Sequence, residues 1–256
     1  MPTRIRIDLA GYHHIINRGV DRMNVFRHDK DKEMFLQILN KASILHKVVL
    51  HDYCLMDNHY HLLIETEKDN LSDLMRVVNA NYALYFNKKT KRIGHLWQGR
   101  YTSRYISSEQ YLYTLIRYIE FNPLEAEMAK KVGEYPYTLA SLIFNNQEHK
   151  ECCQESLLLK QYDIETLSEF LNVEFTEEEQ KYLQEQQKRK IKKGSNGILL
   201  SKIKTLDEHF VEVKNKIERN KATMRAYKDG YKQVEIAQYL GLSKSHVSKV
   251  LKKVEI

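Results

Sequence analysis

The sequence is poor in the residues that staple a fold, break it, or carry it across a membrane. Three cysteines stand in 256 residues: Cys54 alone, and Cys152 beside Cys153, with no Cys-x-x-Cys spacing. That excludes a disulfide framework and a cysteine-based structural zinc, and points to free thiols in a reducing compartment. Three prolines and nine glycines exclude a collagen-like or Pro/Gly-rich disordered chain. No run approaches the ~18 apolar residues of a membrane span. The opening MPTRIRIDLAGYHH lacks the apolar centre of a secretion signal, so the expectation is a cytoplasmic protein without a membrane partner.

What is present is a core and a strong charge pattern. Hydrophobic residues make up 42% and charged residues 29%, with a net charge of +7. Residues 151–180 hold nine acidic and one basic residue, a net of −8. Residues 181–200 hold six basic and one acidic, a net of +5, and 201–256 hold thirteen basic and seven acidic, a net of +6. An acidic stretch between basic ends predicts two nucleic-acid-facing modules joined by a connector: 1–145, an acidic helical connector 146–205, and a C-terminal domain 206–256.

Periodicity predicts an α+β first domain. Gly11–Arg18 reads as a strand and Asp29–His46 as an amphipathic helix. Val48–Met56 and Tyr60–Glu65 read as strands joined by a turn at Asp57-Asn58. Asn70–Asn87 reads as a second helix, Gly94–Ile106 as extended, and Ser107–Asn122 as a third helix with Ser107 and Gln110 at capping-box spacing and Pro123 as its stop. The order βαββαβ predicts a ferredoxin-like antiparallel sheet with helices on one face. Beyond Pro136 an all-α region is expected, with helices at Glu165–Leu171 and Thr176–Lys193 and a linker at Gly194-Ser195-Asn196-Gly197.

Two constellations carry chemistry. In His59-Tyr60-His61 the imidazoles lie at i and i+2 of a strand, on one face and roughly 7 Å apart at their roots, where they can converge on a divalent ion. An isolated pair of this kind is more often just a pair of exposed polar strand positions. On the third helix, at about 100° per residue, Tyr111, Leu115, Tyr118 and Asn122 share a face beside an apolar stripe of Leu112, Ile116 and Ile119. A phenol and a carboxamide one turn apart suit covalent phosphoryl transfer. The competing reading is amphipathic packing, in a chain with 17 tyrosines.

MDNHYHLLI, then YFNKKTKRIGHLWQGRYTSRYI, then YLYTLIRYIEFNP, with NRGVDRMNVF ahead of them, resemble the REP-associated tyrosine transposases, relatives of the small insertion-sequence transposases with a His-hydrophobe-His motif. The resemblance covers about residues 10–145. It implies a metal-dependent nuclease and strand transferase acting on single-stranded hairpin DNA through a covalent phosphotyrosine, with Mg²⁺ or Mn²⁺ as cofactor. By motif position it implies Tyr118 as the nucleophile, His59 and His61 as metal ligands, and Asn122 as a third ligand. Arg18, Arg100 and Arg104 lie within the matched motifs and are candidate DNA contacts, and Trp97 is a candidate platform for unpaired bases. Tyr60 is bulkier than the usual intervening hydrophobe, Leu124-Glu125 stand where Val-Arg is common, and Val20 and Met23 replace commonly polar residues.

The C-terminal QVEIAQYLGLSKSHVSKVLKK reads independently as a helix-turn-helix. Ile236, Ala237 and Leu240 pack the first helix, Gly241 turns, Ser243 caps the second, and Val247 and Val250 face inward. Lys244, Ser245, His246 and Lys249 are left to meet duplex DNA. The alternatives are a helical hairpin used for packing or for a homodimer and, for the whole chain, a non-catalytic DNA-binding regulator retaining the fold. Retention of His59, His61 and Tyr118 favours the enzyme.

Overall fold

The computed structural model describes residues 8–188, 190–194, 197–201, 205–211, 213, 215–228 and 231–252. The chain forms two compact units, Met1–Gln184 and Glu185–Ile256.

The first unit is built on four antiparallel strands, β1 (Gly11–Arg18), β2 (Val48–Leu55), β3 (His59–Thr66) and β4 (Thr102–Ile106), in the order β2-β3-β1-β4. With helices α1 (Asp29–His46) and α2 (Leu71–Thr90) this is the expected split βαβ arrangement. Alternation along the strands sorts the side chains. Ile15, Tyr53, Leu55, Tyr60, Leu62 and Ile64 are buried and share one face by register. Phe35 of α1 lies 4.8 Å from the Tyr60 ring, and Tyr82 of α2 lies 5.2 Å from Phe35, ring centre to ring centre, so α1 and α2 cover this face.

The opposite face is not open. Helix α3 (Glu109–Glu125) lies across it, bringing Tyr118 to the ring of His61. The cap of α3 is Ser108, whose side chain accepts from the Tyr111 N–H, one residue later than the spacing at Ser107 predicts. Nor does Pro123 stop the helix. Proline removes a single N–H, and the chain beyond it bonds back to the carbonyls of Asn122, Pro123 and Leu124. Of the expected extended stretch Gly94–Ile106, only Thr102–Ile106 is strand.

The expected connector 146–205 divides differently. Helices α4 (Leu139–Phe144), α5 (Leu157–Gln161) and α6 (Ile164–Leu171), and the start of α7 (Glu177–Lys188), belong to the first unit. Cys152, Cys153, Leu158, Leu167, Leu171 and Leu183 join its core. Glu174, Glu177 and Glu178 stay exposed, so the acidic charge is the outer coat of packed elements, not the sign of a free spacer.

In the second unit, Lys190–Gly194 (β5) and Gly197–Ser201 (β6) pair antiparallel. The helix expected to reach Lys193 therefore ends at Lys188, the Gly-Ser-Asn-Gly stretch joins two paired strands where a linker was expected, and the C-terminal region is not all helical. Residues 195 and 196 lie outside the described residues. Helices α8 (Leu206–Phe210), α9 (Lys216–Lys228), α10 (Gln233–Tyr239) and α11 (Lys244–Lys252) follow, with Ala226, Ile236, Ala237, Val247 and Leu251 buried among them. Leu251, not Val250, completes the inner side of α11. Gly241, at φ +64°, takes the left-handed turn between α10 and α11, and Ser243 Oγ accepts from the His246 N–H at 3.2 Å.

Candidate active site

The histidine strand is held from behind and from its turn. Tyr60, between the two histidines, points to the α1/α2 face, where its hydroxyl donates to Asn79 Oδ1 at 2.8 Å. Asn17 Nδ2 donates to the same oxygen at 3.2 Å, and Trp97 Nε1 donates to the Asn79 carbonyl at 3.0 Å. The unusual tyrosine is thus a polar anchor inside the core. Trp97 packs edge-on against Tyr60, 5.5 Å between ring centres, with its N–H engaged, which suits a loop anchor better than a base platform.

The turn before His59 is equally constrained. The Asp57 carbonyl accepts from Val25 and Phe26, and the Asp57 carboxylate pairs at 3.1 Å with Lys32, whose ammonium lies 4.6 Å from the Tyr137 ring centre. Gly19 N–H donates to the Asn58 carbonyl. A side chain at Gly19 would strike the Met23 carbonyl oxygen and Val25, so the Asn17-Arg18-Gly19 segment approaches this turn only with glycine.

On the α3 face the histidine rings meet. Those of His59 and His61 are 5.1 Å apart, centre to centre, and the Tyr118 ring is 5.7 Å from that of His61. A third imidazole, His14 of β1, is fully buried and stacks on His61 at 5.2 Å, with His14 Nε2 3.0 Å from His61 Nδ1. Nothing in GYHHIINR distinguishes His14 from His13; only the pairing of β1 with β3 does. His59 Nδ1 donates to Asn58 Oδ1 at 2.6 Å.

Burial, reinforced by the positive charge of Arg18, lowers His59 to about 4. Burial, followed by the neighbouring His59 and Arg104, lowers His61 to about 3. Both rings are neutral near pH 7, the form that binds a metal. Each has its Nδ1 engaged, by Asn58 or His14, as a ligating histidine usually does with its second nitrogen. The donor set fits a two-histidine ion site with open positions. Among the described residues, no group of three or more His, Cys, Asp or Glu is arranged to hold a metal. Asn122, buried one turn beyond Tyr118, donates Nδ2 to the Tyr118 carbonyl at 2.6 Å, so its amide is engaged with its own helix.

Of the basic candidates, Arg104 is nearest the centre: half-buried, its charge acts on His14, His61 and Tyr111. Arg18 is exposed, bonded through Nε to Gln98 Oε1 at 3.1 Å, and within electrostatic reach of His59. Arg100 is exposed in the segment before β4. In the second unit Lys244, Ser245 and Lys249 are exposed on α11 and His246 is half-buried.

Two further features of α3 escaped the sequence reading. Buried Arg117, beside Tyr118, donates to Glu179 Oε1 at 2.7 Å and to the Val173 and Glu174 carbonyls, and stacks 4.5 Å from the centre of Phe175. Glu120, fully buried, faces Asp52 of β2. Among the described residues neither Asp52 Oδ2 nor Glu120 Oε2 has a donor, and burial raises both carboxyl groups above the usual carboxylate range, which favours a proton held between them.

Residues 9–122 match the family described as Transposase IS200 like. No curated protein matches the chain. Among solved structures, a REP-associated tyrosine transposase bound to a REP hairpin is similar at 15% identity and a TM-score of 0.48, over 59% of this chain and 90% of that one. A transposase of Deinococcus radiodurans R1 is similar at 20% identity and a TM-score of 0.34, over 47% of this chain and 96% of that one. The segment that resembles the IS200-like transposases, residues 9–122, holds His59, His61 and Tyr118.

Proposed function

We propose that the first unit cuts and rejoins single-stranded, hairpin-forming DNA, with Tyr118 as nucleophile. The observation that carries this is the placing of a tyrosine, on the helix that crosses the histidine face, 5.7 Å from one of two neutral imidazoles that are themselves 5.1 Å apart. In the forward step the Tyr118 oxygen bonds to phosphorus, the bond from phosphorus to the 3′ oxygen breaks, and the tyrosine proton is lost as the leaving oxygen gains one. The product is a phosphotyrosine on one strand end and a free 3′-hydroxyl on the other. Attack by a different 3′-hydroxyl reverses the step and joins new strands without external energy.

His59 and His61 would hold Mg²⁺ or Mn²⁺, with Asn122 as a third ligand through Oδ1 while its Nδ2 stays bonded to the Tyr118 carbonyl. When bound, such an ion polarises a phosphate oxygen and neutralises developing charge. Arg104 and Arg18 supply positive charge around the histidines, and Arg100 extends it toward the segment before β4. All of these groups come from a single chain, so the reading needs no second copy.

In the second unit we assign duplex binding to α11, through Lys244, Ser245, His246 and Lys249. This is supported by the left-handed Gly241 turn, the Ser243 cap, and the outward basic side chains opposite the buried Val247 and Leu251. The test of the catalytic reading is a covalent protein–DNA adduct on a labelled hairpin with Mn²⁺. Its DNA should map by peptide mass to the segment carrying Tyr118; an adduct on another residue would overturn it.

A further inference from the structure

A metal-ligating histidine needs its second ring nitrogen held, or the ring rotates and its proton settles on the wrong nitrogen. His59 has a local solution in Asn58 Oδ1. For His61 the partner is another imidazole, which is an unusual choice. An amide or carboxylate oxygen is always able to accept, whereas an imidazole nitrogen accepts only when its proton sits on the other nitrogen. His14 and His61 are both buried, stacked at 23° between ring planes, with the positive charge of Arg104 acting on each. Only one proton fits between His14 Nε2 and His61 Nδ1. If His14 carries it, the other nitrogen of His61 bears hydrogen and cannot bind an ion. If His61 carries it, Nε2 of His61 is a bare lone pair.

We propose that His14 is the positioning residue of the site: its Nε2 accepts from His61 Nδ1–H and so turns the Nε2 lone pair of His61 toward His59 and Tyr118. This rests on the reading of His59 and His61 as ion ligands. The arrangement has a cost that the structure displays. His14 Nδ1 must then bear the hydrogen, and among the described residues that buried atom has no partner. An unpartnered polar atom at the floor of a site is what a residue kept for its effect on a neighbour looks like. The Tyr118 ring stands edge-on to His14 at 6.3 Å, so the same side chain also buttresses the nucleophile.

Two measurements test this on the full chain. With ¹⁵N-labelled histidine, the wild-type protein should show a scalar coupling across the hydrogen bond between His14 Nε2 and His61 Nδ1. With saturating Mg²⁺ the shared proton should reside on His61. Absence of the coupling, or a proton on His14 in the Mg²⁺-loaded protein, overturns the proposal.

Separately, Mn²⁺ affinity is measured by calorimetry. His14→Phe keeps a ring and removes the acceptor; His14→Met serves the same purpose should the phenylalanine variant not fold. Either should weaken Mn²⁺ binding about 10–100-fold, while His14→Gln, which restores an accepting oxygen, should recover most of it. Equal affinity in wild type and His14→Phe or His14→Met sinks this inference alone. A wild type that binds Mn²⁺ no better than the double variant His59→Ala, His61→Ala sinks the ion reading, and this inference with it.

Discussion

Cutting the chain after residue 145, where the change to an acidic helical sequence suggests a domain end, should destroy the first unit. The truncation removes Cys153, Leu158, Leu167 and Leu171, each with no exposed surface, and Leu183, which is 6% exposed. At roughly 1.5–3 kcal/mol per fully buried leucine, the four leucines alone contribute about 6–12 kcal/mol, an upper figure because unfolded chains retain some burial. A whole domain is stable by only about 5–15 kcal/mol. Polar losses add to this: Arg117 loses Glu179 and two carbonyl acceptors while remaining on a packed helix, and His51 Nδ1 loses the Leu157 N–H. Fragments 1–145 and 1–188 would be compared by urea unfolding followed by circular dichroism, and by limited proteolysis. The expected result is a cooperative transition for 1–188 and none for 1–145. A cooperative 1–145 fragment within about 2 kcal/mol of 1–188 would refute the account of these helices as core.

Burial first, and then the facing Glu120, raises the Asp52 pKa well above the carboxylate range; burial raises Glu120 as well. A raised acid stabilises the fold fully below its unfolded pKa and loses that contribution as pH rises through the folded pKa. Asp52→Asn should therefore gain stability relative to wild type as pH rises from about 5 toward 8. The difference between the two proteins is the quantity to follow, because the lowered histidines His13, His14, His51, His59 and His61 give the opposite slope in both; a pH-independent difference would remove the shared proton from the account. For the second unit, binding of the full chain to duplex DNA should weaken with salt, and Lys244→Ala with Lys249→Ala should lower the log–log salt slope by about 2. An unchanged slope would place duplex contacts elsewhere.

The strands and the helices α1, α2 and α3 were readable because each carries a clean period, whereas the short α4 and α5 offer too few residues to show one. GYHHIINR, VVLHDYCL and HYHLLIET span their strands nearly end to end, and the Asp57-Asn58 turn lies where polarity breaks the run. The HxH pair and the Tyr118 face of α3 follow from the same geometry. What escaped depended on partners distant in sequence. His14 gains meaning only when β1 pairs with β3, and Glu120 only when α3 crosses β2. A bulge between Leu50 and Asp52 sends His51 to Glu65 at 2.8 Å, which no alternation count foresees. Charge misled twice. The glutamates of residues 174–178 suggested a free connector although Leu167, Leu171 and Leu183 are buried, and a Gly-Ser-Asn-Gly run after lysines read as a linker although the residues on either side pair as strands. Pro123 reads as a stop from its missing N–H alone, but the residues after it still reach helix carbonyls.

The most direct test of the central claim is adduct formation by three proteins on one labelled single-stranded hairpin with Mn²⁺: wild type, Tyr118→Phe and Tyr111→Phe. Tyr111 lies seven residues earlier, roughly 10 Å along the helix axis, and its hydroxyl is buried, with its pKa raised to about 12 mainly by burial. The account predicts a covalent complex for wild type and Tyr111→Phe, and none for Tyr118→Phe, which should still bind the hairpin with near wild-type affinity because only one oxygen is lost. A covalent complex formed by Tyr118→Phe, or an absence of adduct from wild type on every hairpin tried, would contradict it.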